Sequence, residues 1–175
     1  YYNYPRIFEI LDSIQPQAVV FGDGGPGCRW VGNEKGFAGE TNWAFLRKGE
    51  VYPGYPKYKE LQYGHADGNQ WTPAECDVSI RPGWFYHESE DSKVKTVDEL
   101  CDLYYRSVGH NATFLLNFPV DKDGLIHPID SANAVNFHKK IQQELAVNVL
   151  KGITPKVDTS QGKHTGKYMT DNQYD

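Results

Sequence analysis

Apolar side chains recur at helical spacing near the start of the sequence. The positions i, i+3, i+4 and i+7 are held by Ile7, Ile10, Leu11 and Ile14. Pro5 precedes them and suits a first helical turn, whereas Pro16 ends the pattern. The spacing therefore predicts a helix over residues 5–15.

A short apolar run and a long glycine-rich segment come next. Ala18–Phe21 is β-branched and aromatic, which predicts a strand buried on both faces. The segment from Gly22 to Ile80 holds most of the 17 glycines and shows no regular hydrophobic period. It is far longer than the usual connection of about 4–6 residues, and loops of that length are generally functional.

Two further strands and two helices are predicted in the second half. Trp84–His87 and Thr113–Phe118 have the composition of strands. The run 96–99, Thr-Val-Asp-Glu, has the form of a capping box and begins a helix that should end at Gly109. A last helix is predicted to run from its cap at Asp130 to Leu145.

The predicted order is helix, strand, long loop, strand, helix, strand, helix. Strands that alternate with helices lie parallel and are joined by right-handed crossovers. Three such strands do not make a sheet that stands alone, because both faces need cover and the edges would be bare. We therefore expect an α/β chain that forms part of a larger domain. Apolar residues become sparse after Thr154, which is typical of a linker.

Charge and composition exclude several classes of partner. The chain has 18 Lys and Arg against 23 Asp and Glu, so its formal net charge is -5, and its pI is 5.7. Without a basic stripe, no nucleic-acid partner is expected. No run of about 18 apolar residues is present, so no membrane contact is expected either. Cys28, Cys76 and Cys101 fit neither a disulfide framework nor a zinc site, and we expect buried thiols.

A glycine-rich motif raises the question of a cofactor. Residues 22–27 satisfy the spacing G-x-G-x-x-G after a predicted strand. A dinucleotide fingerprint must open a helix whose N-terminus holds the pyrophosphate. Pro26 interrupts the motif, and Gly32 and Gly36 follow it, so we interpret the run as a turn-rich active-site loop. The histidines show no metal-ligand spacing. We predict neither a cofactor nor a metal.

Carboxylates and aromatic rings are interleaved in the long segment. The candidate ligands are Asp23, Arg29, Trp30, Asn33, Glu34, Glu40, Trp43, Tyr55, Tyr63, His65, Asp67, Trp71 and Glu75. Aromatic rings, which mix an apolar face with a polar edge, suit sugars. A glycosidase needs one carboxylic acid to protonate the leaving oxygen and one carboxylate to attack or to activate water. The pattern favours sugar chemistry, although ordinary solvated loop carboxylates remain an alternative at this point.

Four strings of the sequence carry a family resemblance. They are FGDGGPGCRWVGNE (21–34), WTPAE (71–75), RPGWFYH (81–87) and NATFLLNFP (111–119). Together they resemble the α-L-fucosidases of glycoside hydrolase family 29, over about residues 4–150. The string RWVGNE is similar to the branch that prefers α-1,3- and α-1,4-linked fucose on oligosaccharides.

The resemblance implies a fold and a chemistry. It implies the C-terminal half of a (β/α)8 TIM-type barrel, truncated at both ends, with residues 1–153 in the barrel and 154–175 in a polar linker toward a C-terminal β-sandwich. The missing N-terminal half of the same domain would then be its partner. It further implies a secreted or periplasmic retaining hydrolase whose site lies at the C-terminal ends of the strands, where barrel enzymes place their chemistry.

Residue roles follow from the same match. Glu34 matches the general acid/base, with Glu75 as the runner-up, and Trp84 matches an aromatic wall of the fucose pocket. Further substrate-binding residues are predicted among the interleaved positions, namely Trp30, Arg29, Asn33, His65, Asp67 and Trp71.

The family's nucleophile string, tryptophan-phenylalanine-aspartate-glycine on an earlier strand, is not in this sequence. We therefore expect the nucleophile Asp upstream of this chain. The string Phe21-Gly22-Asp23-Gly24 is similar to the nucleophile string, but it follows the next strand of the domain. Asp23 is interpreted as a residue that shapes the loop behind the site, and as nucleophile only in second place. The chain alone is accordingly predicted to be inactive.

Two other functions are considered. One is a non-catalytic carbohydrate-binding module that uses Trp30, Trp43, Trp71 and Trp84 as platforms, and the other is a purely structural segment. Burial of Glu34 beside an aromatic ring would favour the enzyme, whereas exposed, coplanar tryptophans would favour the binding module.

Overall fold

The computed structural model describes residues 2–160, 162–163 and 165–170. The chain divides into two compact units, Tyr1–Phe137 and His138–Asp175. The first unit contains all the strands and every residue of the predicted site. In the second unit, the end of the last helix is followed by turns and a short 3-10 helix, Gly166–Met169. The proposed linker at 154–175 lies partly outside the described residues and stays a prediction.

The described residues form three α-helices and six strands. The helices are α1 (Tyr4–Ile14), α2 (Val97–Ser107) and α3 (Pro128–Glu144). The strands are β1 (Phe21–Gly22), β2 (Cys28–Trp30), β3 (Phe45–Leu46), β4 (Gln70–Trp71), β5 (Ala74–Ser79) and β6 (Ala112–Asn117). Short 3-10 turns lie at Tyr58–Gln62, Glu88–Lys93 and Val108–His110.

The main sheet is parallel and has the order β1-β2-β5-β6, while β3 and β4 pair antiparallel in a separate small sheet. Each strand of the main sheet therefore lies beside the strand of that sheet that precedes it in the sequence. This is the arrangement from which a closed α/β barrel is built. The predicted α/β class with parallel strands is confirmed.

The helical predictions hold with small changes at the ends. In α1 the side chain of Asn3 accepts a hydrogen bond from the Arg6 N–H, and Pro5 lies in the first turn as expected. In α2 the Thr96 side chain and Glu99 form the predicted capping box. The residue with left-handed backbone after α2 is Asn111, at φ 58°, and not Gly109.

The prediction of Asp130 as a helix cap is wrong. Helix α3 begins at Pro128, whose fixed φ suits a first helical position, so Asp130 lies inside the first turn. Its side chain is fully buried and pairs with Arg81, a partner 49 positions away in the sequence. An acidic residue near a helix start is a common cap, but here a long-range contact uses it.

Three of the strand predictions need correction. The long segment is not free of regular structure, because it contains β2, β3, β4 and β5. Glu75 and Asp77 hide the apolar alternation of β5. Residues 84–87 are not a strand, since the chain bends sharply after β5. The first strand spans only Phe21–Gly22, so it begins at the last residue of the predicted run 18–21.

The two faces of the parallel sheet differ in character. On one face Ala74 and Cys76 are fully buried against Val31 and Ala38 of the segment after β2. The opposite face carries Glu75 and Asp77 of β5, beside Leu115 of β6, which is 44% exposed. In a closed barrel one face of the sheet packs against the helices and the other points inward. The face with the carboxylates is thus the inward one of such a barrel.

The segment between β2 and β5 is organised around one buried cation. Arg29 of β2 is completely buried, and its Nε donates to the carbonyl of Leu61 at 2.9 Å. Its two terminal nitrogens donate to the carbonyls of Thr72 and Trp43 and to the side chain of Asn42. Burial lowers the pKa of Arg29 to about 10. Every one of these acceptors lies between residues 42 and 72, so this one side chain fixes the segment.

We expect Arg29→Lys to destabilise the full-length protein by about 2–4 kcal/mol, because an ammonium group cannot reach four separated acceptors and leaves buried carbonyls unpaired. Urea unfolding measures the change. The matched control is Arg47→Lys, whose side chain is exposed and pairs with Asp67 on the surface. An unfolding free energy of Arg29→Lys equal to that of the control would show that Arg29 does not organise the segment.

Candidate active site

The predicted catalytic residues follow the carboxyl ends of neighbouring parallel strands. Asp23 comes directly after β1, Glu34 lies four residues after β2, and Trp84 follows β5. Since these strands are parallel and adjacent, their carboxyl ends share one edge of the sheet. In α/β barrels that edge holds the chemistry.

Glu34 and Trp84 are brought together at this edge. The Trp84 indole Nε1 donates a hydrogen bond to Glu34 Oε2 at 3.1 Å, across 50 positions of sequence. Trp84 is half-buried, whereas Glu34 is exposed. The expected aromatic neighbour of the carboxylate is therefore present, but the expected burial of Glu34 is not found in this chain.

The turn that carries Glu34 depends on its neighbours. Asn33 Oδ1 accepts from the Lys35 N–H at 2.9 Å, and Asn33 Nδ2 donates to the Phe37 carbonyl at 3.0 Å. Gly32 has φ +83°, and a Cβ there would collide with the Tyr58 carbonyl. Asn33 thus shapes the turn through both ends of its amide.

A cleft of 590 Å³ adjoins Glu34. Its lining residues are Trp30, Gly32, Asn33, Glu34, Lys35, Phe37, Tyr58, Lys59 and Gln62. The rings of Trp30 and Tyr58 stack at 6.3 Å with 24° between their planes. A cleft with aromatic walls and a few polar groups suits a sugar.

Two carboxylates lie beside this cleft on β5. Glu75 is in register with Trp30, and the Trp30 Nε1 donates to Asp77 Oδ1 at 2.9 Å. Burial, and secondly the charge of Asp77, raise the pKa of Glu75. Burial also raises the pKa of Asp77, against the hydrogen bond from Trp30, which lowers it. Asp77 was not among the predicted site residues, although its place two positions after Glu75 puts it on the same strand face.

Trp84 is not part of the lining of this cleft, and four other predicted substrate-binding residues do not line it either. The donors of Arg29 are held in the interior as described above. His65 is buried, and its Nδ1 accepts from the Arg47 N–H at 3.0 Å. Asp67 pairs with Arg47, whose hydrogen bond lowers the Asp67 pKa. Trp71 packs edge-on against Phe45 in the β3–β4 pair. These side chains stabilise the long segment.

Asp23 supports the loop after β1. Its Oδ2 accepts from the Gly54 N–H at 2.8 Å, and it lines a separate 280 Å³ cleft with Tyr4 and Phe8 of α1. The glycine run around it leads into β2 and not into a helix, so it lacks the context of a dinucleotide site. This geometry suits the interpretation of Asp23 as a residue that shapes the loop.

Within the described part of the chain, no group of three or more His, Cys, Asp or Glu side chains is placed to hold a metal ion. Among the same residues, none of the helices has the length and apolar character needed to cross a bilayer. All three cysteines are free, with Cys76 and Cys101 buried and Cys28 half-buried. Burial raises the pKa of Cys76 to about 12, which keeps it a neutral thiol.

No protein-family model matches the sequence. The chain is 45% identical over 129 residues to alpha-L-fucosidase 1 of Arabidopsis thaliana, and this match covers 74% of the chain and 25% of that protein. It is also similar to the crystal structure of a glycoside hydrolase 29 family member from an unknown rumen bacterium. That match has a TM-score of 0.73 and 44% identity, and it covers 81% of this chain and 25% of the other.

The chain is a relative of the family 29 α-L-fucosidases. The resemblance carried by the four sequence strings is thereby confirmed. A Ruminococcus gnavus family 29 fucosidase in complex with fucose matches with a TM-score of 0.72 and 28% identity, over 88% of this chain and 32% of that one. Since the chain spans 25% of the Arabidopsis fucosidase and 31% of a rice relative, it corresponds to a part of such a protein.

We expect Glu75→Gln to stabilise the full-length protein increasingly as the pH rises from about 4 to 7. A carboxyl whose pKa is raised in the folded state binds its proton more tightly there, so ionisation costs stability above the ordinary value near 4.5. The glutamine does not ionise and escapes this cost. Unfolding midpoints of both proteins at the two pH values measure the effect. The exposed Glu88→Gln is the control, and a Glu75→Gln gain independent of pH would contradict the assignment.

Proposed function

We propose that the protein containing this chain is an α-L-fucosidase that releases terminal α-1,3- or α-1,4-linked L-fucose from oligosaccharides with retention of configuration. The observation that carries the proposal is Glu34 held against Trp84 at the carboxyl edge of a parallel sheet. The relatives named above supply the substrate class, and one of them is a fucosidase in complex with fucose. A secreted or periplasmic location is part of the proposal.

In the proposed reaction Glu34 acts twice. As an acid it gives its proton to the glycosidic oxygen while an aspartate from the upstream part of the domain attacks the anomeric carbon. The C–O bond breaks, and the leaving sugar departs as a neutral alcohol. As a base Glu34 then takes a proton from water, whose oxygen displaces the aspartate and regenerates both carboxyl groups. Trp84 supplies an aromatic wall for the fucose ring.

We prefer Glu34 over Glu75 as the acid/base because the two residues lie at different positions along the strand direction of the sheet. Glu34 lies past the end of β2, at the carboxyl edge. Glu75 is the second of the six residues of β5, and therefore lies near the amino end of its own strand. Barrel enzymes place catalytic groups at the carboxyl edge.

In the binding-module alternative the four tryptophans act together, and of these Trp43 and Trp71 are 46% and 60% exposed. Two of its four tryptophans, Trp30 and Trp84, direct their indole N–H groups at carboxylates. Trp71 belongs to the small antiparallel sheet, packed edge-on against Phe45. A sugar-binding platform needs ring faces that are free together, and this arrangement instead combines rings with carboxylates, as hydrolysis requires.

In the full-length protein we expect Glu34→Gln to lower kcat/KM for a natural fucosyl disaccharide by about 10²–10⁴-fold, because the leaving oxygen loses its proton donor. An aryl fucoside with an acidic phenol leaving group should lose far less. Steady-state rates on the two substrates measure the difference.

Two controls accompany this experiment. Azide should partly restore turnover of the aryl fucoside by Glu34→Ala, since a small anion can enter the space of the lost side chain. Glu75→Gln provides the matched carboxylate. If Glu34→Gln keeps wild-type kinetics while Glu75→Gln collapses, the acid/base role passes to Glu75.

Expressed alone, residues 1–175 should release no fucose and should bind an apolar dye. The inward face of the sheet leaves Phe21 50% and Leu115 44% exposed, and two edges of the sheet lack barrel neighbours. Dye fluorescence and fucose release, compared with the full-length protein, measure both effects. Wild-type activity of the isolated chain would overturn this expectation and make Asp23 the first nucleophile candidate to mutate.

A further inference from the structure

The contact between Trp84 and Glu34 has two parts that differ chemically. The ring of Trp84 is an apolar surface, whereas its indole N–H is a donor directed at Glu34 Oε2, at 3.1 Å. An aromatic wall needs only the ring. The hydrogen bond adds a fixed direction to a carboxylate that is otherwise exposed at the end of a loop.

The backbone of Trp84 is held from the next strand. Asn117, the last residue of β6, donates through Nδ2 to the Trp84 carbonyl at 3.1 Å and to Ser79 Oγ at 3.1 Å. Ser79 is the last residue of β5 and pairs with Asn117 in the sheet register. The amide therefore ties Trp84 to the carboxyl ends of two adjacent strands.

Other residues that follow β5 contact the side chain of Arg81. Both partners of the Arg81–Asp130 pair are fully buried, with two hydrogen bonds of 2.8 and 2.9 Å. Arg81 also donates to Asp91 at 2.9 Å, and its guanidinium lies 4.6 Å from the centre of the Tyr86 ring. The hydrogen bonds that Arg81 donates to Asp130 raise the pKa of Arg81, which stays charged. Arg81, which precedes Trp84, thus contacts Tyr86 and Asp91, which follow it, and its pair with Asp130 anchors this segment to α3.

A donor anchored in this way does not have to be reoriented during the reaction. Preorganised hydrogen bonds contribute to catalysis because no free energy is spent on aligning them when charge moves. Such a donor can hold the Glu34 carboxyl group in one direction through both proton transfers. A residue that served only as a wall would not need its indole nitrogen.

We propose that Trp84 is a positioning residue for Glu34, and that its indole N–H, fixed by Asn117 and by the buried Arg81–Asp130 pair, aims the acid/base at the glycosidic oxygen. This inference rests on the proposed fucosidase function. It assigns to Trp84 a role that is separable from its contact with the sugar ring.

The test is Trp84→Phe in the full-length protein, which keeps an aromatic wall and removes the donor. We expect kcat/KM for a natural fucosyl disaccharide to fall about tenfold, the value of one hydrogen bond to a charged group. For a dinitrophenyl fucoside, whose leaving group departs without a proton, kcat/KM reports only the first step and should stay within about twofold. The inhibition constant of free fucose should also stay within about twofold, because the ring is retained.

Asn117→Leu provides a second variant, nearly equal in size and without the amide donor. It should show the same selective loss on the disaccharide, since the Trp84 backbone is released while its ring remains. Tyr105→Phe is the control, because it removes a polar hydrogen from an exposed aromatic ring in α2, a helix that carries no predicted site residue. Thermal unfolding midpoints verify that each variant is folded.

The outcomes separate the inference from the function on which it rests. If the wild-type protein releases fucose from neither substrate, the proposed function itself fails. If Trp84→Phe lowers both rates equally and weakens fucose binding, Trp84 is only a wall and the positioning role is overturned. Wild-type rates for both Trp84→Phe and Asn117→Leu would overturn it as well.

Discussion

A buried guanidinium that donates to neutral acceptors holds the central segment of this chain. Arg29 is satisfied by three carbonyl oxygens and one side-chain amide, all contributed by residues 42–72. Such acceptors are neutral, so the cation is stable in the interior only while every donor is occupied. The loop must therefore close around Arg29 in one way. Tyr58 of the same segment lies directly against Gly32, two residues before Glu34.

The two faces of the parallel sheet differ: one packs against the rest of the chain, and the other carries carboxylates. Small side chains such as Ala74 and Cys76 pack the covered face, which allows the segment after β2 to lie directly on the sheet. The other face carries Glu75 and Asp77, whose charges are tolerated beside the cleft and would be costly in an apolar layer. Strand alternation thus delivers the carboxylates to one side without disturbing the packing on the other.

The segment after β5 shows a similar principle at the edge of the site. Arg81 is buried with Asp130, and the residues around Trp84 are arranged upon that pair. A buried ion pair contributes little net stability compared with apolar packing, but it tolerates few alternative geometries. Such a pair therefore restricts the loop, and with it the Trp84 indole, to few conformations. The same network joins α3 to the carboxyl edge, although α3 is distant in sequence.

The sequence by itself determined the elements whose signals are local. The capping box of Thr96 and Glu99 places α2, and the β-branched and aromatic run near Phe114 places β6, because each depends on residues within one turn or one strand. The family strings likewise identified Glu34 and Trp84, which the fold then brought within hydrogen-bond distance. Tertiary structure alone decided the rest. It shows that β5 is a strand although carboxylates alternate along it. It places the side chains of Arg29 and His65 in the interior, and it pairs Asp130 with Arg81. These outcomes depend on partners tens of residues away, and no local spacing encodes which buried acceptor a charged side chain will find.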